Sequence, residues 1–210
     1  MFYDTTKRII DIIGALVGIL LFTPLILVAI AWVKIVSPNG PLLADIPKRI
    51  GKNKLLFRMY KIRSMIPDGQ KWLDDHPEWL EKYKANNYKL DPDPRLIKGA
   101  KWLRKTSIDE MPQFFNVLKG DMSLVGPRAY FPFELDEQVI KFPQTKLDVE
   151  ALLTAKPGIT GPWQVGGRSQ IPFPDRARID AEYAKRRSIV YDLLIILKTP
   201  LAVLTQRGSY

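Results

Sequence analysis

The densest chemistry in this chain lies between Leu103 and Arg128, in the stretch LRKTSIDEMPQFFNVLKGDMSLVGPR. Asp109 and Glu110 are adjacent carboxylates. Arg104 lies five residues before Asp109, and Arg128 follows the Gly126-Pro127 turn. An ionised carboxylate is a competent nucleophile toward phosphorus, and aspartyl phosphates are known enzyme intermediates. A second carboxylate beside it suits Mg²⁺, which takes one or two carboxylates and completes its shell with phosphate oxygens and water. The planar fork of arginine matches phosphate at two points. The set reads as phosphoryl transfer, with Asp109 as nucleophile, Glu110 as Mg²⁺ ligand, and Arg104 and Arg128 on phosphate oxygens.

The same residues allow a purely structural reading. Ser107-x-x-Glu110 matches a capping box that opens a helix, with Glu110 serving only as a cap. On the phosphoryl-transfer reading Asp109 lies in the first turn of a helix, where the macrodipole favours an anion and holds the nucleophile ionised. The pattern alone leaves both readings open.

Composition removes other chemistries. The 210 residues contain no cysteine and one histidine, His76. That excludes disulfides, thiolate metal sites and a cysteine nucleophile. His76 precedes a proline and reads as a surface or capping residue. Hydrophobic residues are 46% and charged residues 26%, a globular mix that excludes a mainly disordered chain. Lys+Arg is 32 against Asp+Glu 22, a net charge of +10.

The site needs elements to position it, and the first is a membrane element. The 22 residues from Ile12 to Val33 carry no charged side chain. As a helix they would extend ~33 Å, about the thickness of a bilayer core. The run is too long for a signal sequence and lacks a small-residue cleavage site, so it is expected to be retained. Lys7 and Arg8 precede it, and Lys34 begins a basic stretch after it. Basic flanks on both sides penalise a simple crossing. Thr23-Pro24 sits mid-run, where proline removes a helical hydrogen bond and favours a kink. The Thr23 hydroxyl is placed to satisfy freed backbone. A spanning helix and one that enters and leaves by the same face both remain open on these grounds.

Lys48 to Lys71 carries eight basic residues and one acid, Asp68. It suits anionic lipid headgroups or substrate phosphates. Positive charge beside a membrane anchor has the lipid explanation first, so no nucleic acid is expected. Asp75-His76-Pro77-Glu78 reads as a helix start. Tyr191 to Leu204 reads as an interfacial or core-packing helix. Val125 to Tyr130 and Gly158 to Val165 read as Gly/Pro-rich loops. The expected fold is mostly α, with residues 1–36 a membrane helix and 37–210 a catalytic domain.

At these residues the chain closely resembles the small monotopic phosphoglycosyl transferases, the bacterial sugar transferase family. The likeness covers nearly the whole length. It is carried by Lys7-Arg8 with Asp11, by Pro24, and by Tyr60-Lys61-Ile62-Arg63-Ser64-Met65. It continues through Arg104 to Gln113, Asn116 to Arg128, Lys156 to Gly161, Gly167-Arg168, and the late Asp180 and Asp192. The resemblance implies transfer of sugar 1-phosphate from a UDP-sugar to a membrane polyprenyl phosphate, releasing UMP. It implies ping-pong kinetics through a phosphosugar-aspartyl intermediate on Asp109, with Glu110 holding Mg²⁺. It further implies substrate-binding roles for Lys61, Arg63, Arg104, Arg128, Arg168 and Asp192. It makes the first element a re-entrant helix hairpin broken at Thr23-Pro24. Active site and both helix ends then face the cytoplasm, at the inner membrane. The stretch from Asn87 to Arg95 resembles the subgroup associated with UDP-glucose or UDP-galactose. Thr23, Ala129 and Gly166 depart from the usual residues, but none touches the acidic pair. The rival reading is a non-catalytic membrane scaffold of a glycan-assembly complex. Sugar identity, pathway product and oligomeric state are not written in the sequence.

Overall fold

The computed structural model describes residues 2–44, 47–86, 88, 90–167 and 171–204. The first element, α1 (Phe2–Val36), is a 35-residue helix. Its buried residues are Asp11, Ala15, Gly18, Ile26, Ala29 and Val33, which recur on one helical stripe. Its other faces expose Ile13, Val17, Leu20, Leu21, Leu27 and Val28. Water does not accommodate an apolar perimeter of this length, and hydrocarbon does.

The helix is assigned without interruption through Pro24. The expected two-legged hairpin is therefore not seen as two separate helices. Proline withdraws one hydrogen bond, to the Leu20 carbonyl, and the apolar turns on either side keep theirs. The Thr23 hydroxyl donates to the Ile19 carbonyl at 2.6 Å, one residue short of the carbonyl that Pro24 leaves.

A short antiparallel pair follows, β1 (Arg49–Ile50) and β2 (Leu56–Phe57). Then come α2 (Gly69–Asp74), α3 (Pro77–Ala85) and α4 (Ala100–Lys105). The helix start expected at His76-Pro77 is observed. His76 stacks on Trp72 with ring centroids 4.0 Å apart, and its Nδ1 lies 2.6 Å from the Trp72 carbonyl. A 3-10 turn over Ile108–Glu110 leads into α5 (Gln113–Lys119) and β3 (Ser123–Val125). The remainder is α6 (Pro132–Lys141), α7 (Lys146–Leu152), β4 (Gly158–Thr160), α8 (Pro162–Gly166), α9 (Phe173–Arg186) and α10 (Ile189–Leu204).

The mostly helical expectation holds, and the loop expected over Val125 to Tyr130 is observed from Gly126 onward, but the loop expected over Gly158 to Val165 is not. Ser123–Val125 pairs in parallel with Gly158–Thr160, and Pro162–Gly166 is a helix. Glycine was the misleading sign: here it permits close backbone approach. A Cβ on Gly126 would lie 2.1 Å from the Lys156 carbonyl oxygen, and one on Gly158 would lie 2.1 Å from the Gly126 nitrogen. The same holds on α1, where a Cβ on Gly18 would meet the Phe114 ring at 2.5 Å.

Four apolar clusters hold the fold. Ile26, Ala29 and Val33 of α1 pack with Ile62, Ile97, Ala100, Leu103 and Ile108. Ala15 packs with Phe57, Met59, Phe114, Val117 and Met122. Tyr130, Leu135, Val149, Leu152 and Phe173 tie α6, α7 and α9 together. Val125, Tyr183 and Ile195 seat α10 against β3 and α9. One stripe of α1 is thus the spine of two clusters, and the 3-10 turn carrying Asp109 and Glu110 packs beside it. The C-terminal helix exposes Val190, Leu193, Leu197 and Leu201, so it combines core packing with a second outward apolar face.

Candidate active site

The acidic pair sits on a bend between two helices. After α4, Ser107 takes a left-handed conformation with φ of 58°, and the 3-10 turn Ile108–Glu110 follows. An N-cap residue is extended, so this geometry turns the Ser107 hydroxyl away from capping. The expected capping box is not formed: Ser107 makes no side-chain cap, and the Glu110 carboxylate accepts from Lys61 Nζ at 3.0 Å. Nor does Asp109 lie in the first turn of an α-helix, because α5 begins at Gln113. Its charge is governed by burial and by lysine rather than by a helix dipole.

Lys61 is central. Its Nζ lies 3.1 Å from Asp109 Oδ2 and 3.0 Å from Glu110 Oε1. The lysine comes from an extended segment fixed by backbone bonds. The Ile62 amide donates to the Asp109 carbonyl at 2.8 Å. The Tyr60 amide donates to Asn116 Oδ1 at 2.8 Å, and Asn116 Nδ2 donates to the Arg58 carbonyl at 2.7 Å. Asn116 is fully buried, so α5 clamps both the lysine segment and the acidic turn.

The two carboxylates differ in surroundings. Asp109 is 1% exposed, whereas the Glu110 side chain is 39% exposed and forms the edge of the site. Burial pushes the Asp109 carboxyl above the usual carboxylate range, and the Lys61 charge opposes that push. Lys61 holds Glu110 below the usual range. Burial works against the Lys61 ammonium, but the two carboxylates outweigh it and keep its pKa above the ordinary lysine value. Asp109 Oδ2 pairs with Lys61 by charge, yet it lies off hydrogen-bonding geometry and has no hydrogen-bond partner.

The arginines from the sequence divide between the site and the frame. Arg104 donates through Nε to Ser64 Oγ at 3.0 Å, and its charge acts on Asp109. The Arg128 guanidinium stacks 5.0 Å from the Trp163 ring centroid, and its charge acts on Glu110. Its amide donates to Asp180 Oδ2 at 2.9 Å.

Arg63 lies elsewhere. It is 3% exposed, and its guanidinium bonds to the Pro41 carbonyl, the Ser37 hydroxyl and carbonyl, and the Met65 carbonyl. It locks the exit of α1 to the domain and has no donor directed at the acidic pair. Asp192 is 1% exposed and is held by Tyr183 at 2.6 Å, Tyr3 at 3.1 Å and Lys7 at 3.1 Å. It fastens the start of α1 to α9 and α10, away from the acidic pair. Arg168 lies outside the described residues.

Sequence reasoning gave no role to four residues that shape the site. Arg49 stacks on Phe131, with its guanidinium carbon 3.2 Å from the ring centroid. Arg176 and Arg128 share Glu134, at 3.7 and 3.9 Å. Asn116 supplies the clamp, and fully buried Asp180 holds the Arg128 backbone. Asn116 and Asp180 stood in the motifs that carried the resemblance, which was the available signal.

Among the described residues no three acidic or histidine side chains cluster as a metal site. Two adjacent carboxylates, one with an oxygen free of hydrogen bonds and one at the exposed edge, are hard donors of the number Mg²⁺ takes when substrate phosphate supplies the rest. The acidic pair fits that ion.

Comparison with known proteins identifies the family. Residues 2–206 match the family described as bacterial sugar transferase. The chain is 37% identical over 212 residues to the undecaprenyl-phosphate galactose phosphotransferase of Salmonella typhimurium, covering 97% of this chain and 41% of that protein. It is 37% identical over 210 residues to the exopolysaccharide production protein ExoY of Rhizobium meliloti, covering 97% of this chain and 88% of that one. It is 32% identical over 212 residues to the UDP-glucose:undecaprenyl-phosphate glucose-1-phosphate transferase of Caulobacter vibrioides, covering 99% and 73%. The chain therefore spans most of the ExoY protein but about two-fifths of the Salmonella one. With the family match running over residues 2–206 and 37% identity holding across most of ExoY, this chain belongs to the bacterial sugar transferase family.

Proposed function

We propose that this chain moves a hexose 1-phosphate from a UDP-sugar to polyprenyl phosphate in two displacements at Asp109. In the first, an Asp109 carboxylate oxygen attacks the phosphorus that bears the sugar. The bond to the bridging oxygen breaks, and UMP leaves with the electron pair. In the second, a phosphate oxygen of the lipid attacks the same phosphorus, and Asp109 departs as a free carboxylate. The observation that carries this reading is the contrast within the pair, a desolvated Asp109 and an edge-exposed Glu110 joined by Lys61. Burial makes the carboxylate more basic and a better nucleophile, while Lys61 favours its anionic form. Glu110 would hold Mg²⁺, which when bound neutralises phosphate charge so that an anion can approach. Arg104 and Arg128 would orient phosphate oxygens.

The relatives' names give galactose and glucose as the sugars and undecaprenyl phosphate as the acceptor. We extend these to the present chain, in the first membrane step of a polysaccharide or glycoconjugate. The proposed location is the cytoplasmic face of the inner membrane, with α1 dipping into one leaflet and returning. That topology is supported by contacts at both ends of α1 with one domain. Arg8 donates to the Val117 and Leu118 carbonyls at 2.6 and 2.7 Å, and Trp32 Nε1 donates to the Lys98 carbonyl at 3.1 Å. A helix crossing the bilayer would separate those ends by the membrane thickness. A mere scaffold gives no reason to bury a carboxylate beside a lysine.

The test is labelling with a UDP-sugar radiolabelled in the sugar, with the lipid acceptor withheld. Wild type is expected to release UMP and retain the label on Asp109. Asp109→Asn is expected to do neither, and Glu110→Gln is expected to lose nearly all transfer. Release of UMP only after acceptor is added, with no label retained, would establish single displacement and overturn the reading.

A further inference from the structure

We infer that the nucleotide half of the donor binds beside the acidic pair, with its phosphate between Arg49 and Arg128 and its base on the Phe131–Phe133 aromatic shelf. This rests on the transfer reading above and assigns a site within it.

The first observation is a group of arginines with unused donors. Arg128 and Arg176 share Glu134, at 3.9 and 3.7 Å. Among the described residues no acid forms an ion pair with Arg49; its one hydrogen bond goes from Nη1 to the Ala129 carbonyl at 3.0 Å. The Nε atoms of Arg49 and Arg128 and the Trp163 Nε1 have no hydrogen-bond partner. Burial, with a smaller push from Arg128, pulls Arg49 down to about 9. A phosphate supplies both the negative charge and the acceptors.

The second observation is the shelf beside those arginines. Phe131 carries Arg49 on its face and stacks on Phe133, with centroids 5.0 Å apart and planes 15° apart. Tyr88 meets Phe133 edge-on at 6.0 Å, and Tyr83 meets Tyr88 at 5.6 Å. Phe133 is 40% exposed, so its ring is available to a flat base. Stacking on an aromatic side chain is worth roughly tenfold in affinity or more per base.

The third observation sets the polarity of the donor. Arg49 donates to the carbonyl of Ala129, the residue after Arg128, so these two arginines lie together, whereas Arg104 is bonded to Ser64. The transferred phosphate belongs beside Asp109, so the departing nucleotide phosphate falls to the other two arginines.

The experiment uses the full chain in lipid nanodiscs and measures equilibrium binding of UMP and of ribose 5-phosphate, with no turnover. Arg49→Lys keeps the charge but removes the fork, and it is expected to weaken UMP at least tenfold. Phe133→Leu alters an exposed ring, and it is expected to weaken UMP roughly tenfold while leaving ribose 5-phosphate unchanged. UMP affinity within twofold of wild type in both variants would overturn the assignment. Wild type binding ribose 5-phosphate as tightly as UMP would overturn the shelf. The two readings fail separately. A wild type that binds UMP through Arg49 but forms no sugar-phosphate adduct sinks the transfer reading alone. A wild type that forms the adduct while Arg49→Lys retains UMP affinity sinks the nucleotide site alone.

Discussion

Asn116 accepts the Tyr60 amide at 2.8 Å and is fully buried, so α5 fixes the position of Lys61 through the residue before it. Its Nδ2 also donates to the Arg58 carbonyl at 2.7 Å. Asn116→Ala leaves two backbone groups unpaired, at a cost of about 3 kcal/mol. Transfer is expected to fall further than stability predicts, because Lys61 loses its register against Asp109 and Glu110. Asn116→Asp retains the acceptor for Tyr60 but loses the donor to Arg58 and faces Asp121, 3.3 Å from Nδ2. Thermal unfolding measured beside transfer rates for both variants checks this. Turnover unchanged in well-folded Asn116→Ala would remove the positioning role.

Lys61 itself offers a sharper test, because its loss changes the charge of Asp109 rather than its place. Burial pushes the Asp109 carboxyl up, and Lys61 is the main force holding it down. Lys61→Met is expected to slow adduct formation roughly 10²–10³-fold at neutral pH. The rate should recover as pH rises and Asp109 loses its proton. Lys61→Arg keeps a cation and should preserve the wild-type pH dependence at a reduced rate. A pH profile of adduct formation in the three proteins distinguishes these outcomes. A Lys61→Met profile that superimposes on wild type would show that the lysine does not set the Asp109 charge.

How much of this was readable from the chain depended on sequence distance. Asp109 and Glu110 are neighbours and Arg104 lies five residues before Asp109, so the sequence alone marked them as a candidate site. The apolar run likewise announced α1. Lys61 pairs with residues 48 and 49 positions onward, a relationship made only by the fold. Composition could not separate Lys61, which serves the site, from Arg63, which braces the exit of α1. The capping box failed for a local reason: Ser107 has a positive φ, which the S-x-x-E pattern does not encode. The β3–β4 pair was hidden because three-residue strands are too short for alternation to register, and Gly158 at the start of β4 resembled a loop.

The two ends of α1 give a topological prediction. The chain contains no cysteine, so single introduced cysteines are reported without background. Phe2 and Asn39 are exposed and flank the helix. Phe2→Cys and Asn39→Cys are expected to react with a membrane-impermeant maleimide from the same side of sealed vesicles. Labelling from opposite sides would mean that α1 crosses the bilayer, and the Arg8 and Trp32 contacts could not then coexist.

Asp180 carries the pH prediction. It is fully buried, and its Oδ1 has no partner while Oδ2 accepts the Arg128 amide. Burial lifts its pKa to about 7, against the pull of the Arg128 amide and the Arg176 and Arg128 charges. An unfolded aspartate titrates near ~4. Between those values the native state holds a proton that the unfolded chain has released. Stability from this group is therefore full below about pH 4 and is lost as pH rises toward 7, a change of order 4 kcal/mol. Asp180→Asn retains an acceptor for Arg128 but cannot ionise. It should unfold at a temperature that no longer falls across this window, and at pH 8 it should be more stable than wild type. Melting curves of both proteins at pH 5 and pH 8 decide the matter. Parallel pH dependence in the two would mean that Asp180 is already ionised in the native state at pH 5, with Arg128 and Arg176 overcoming its burial.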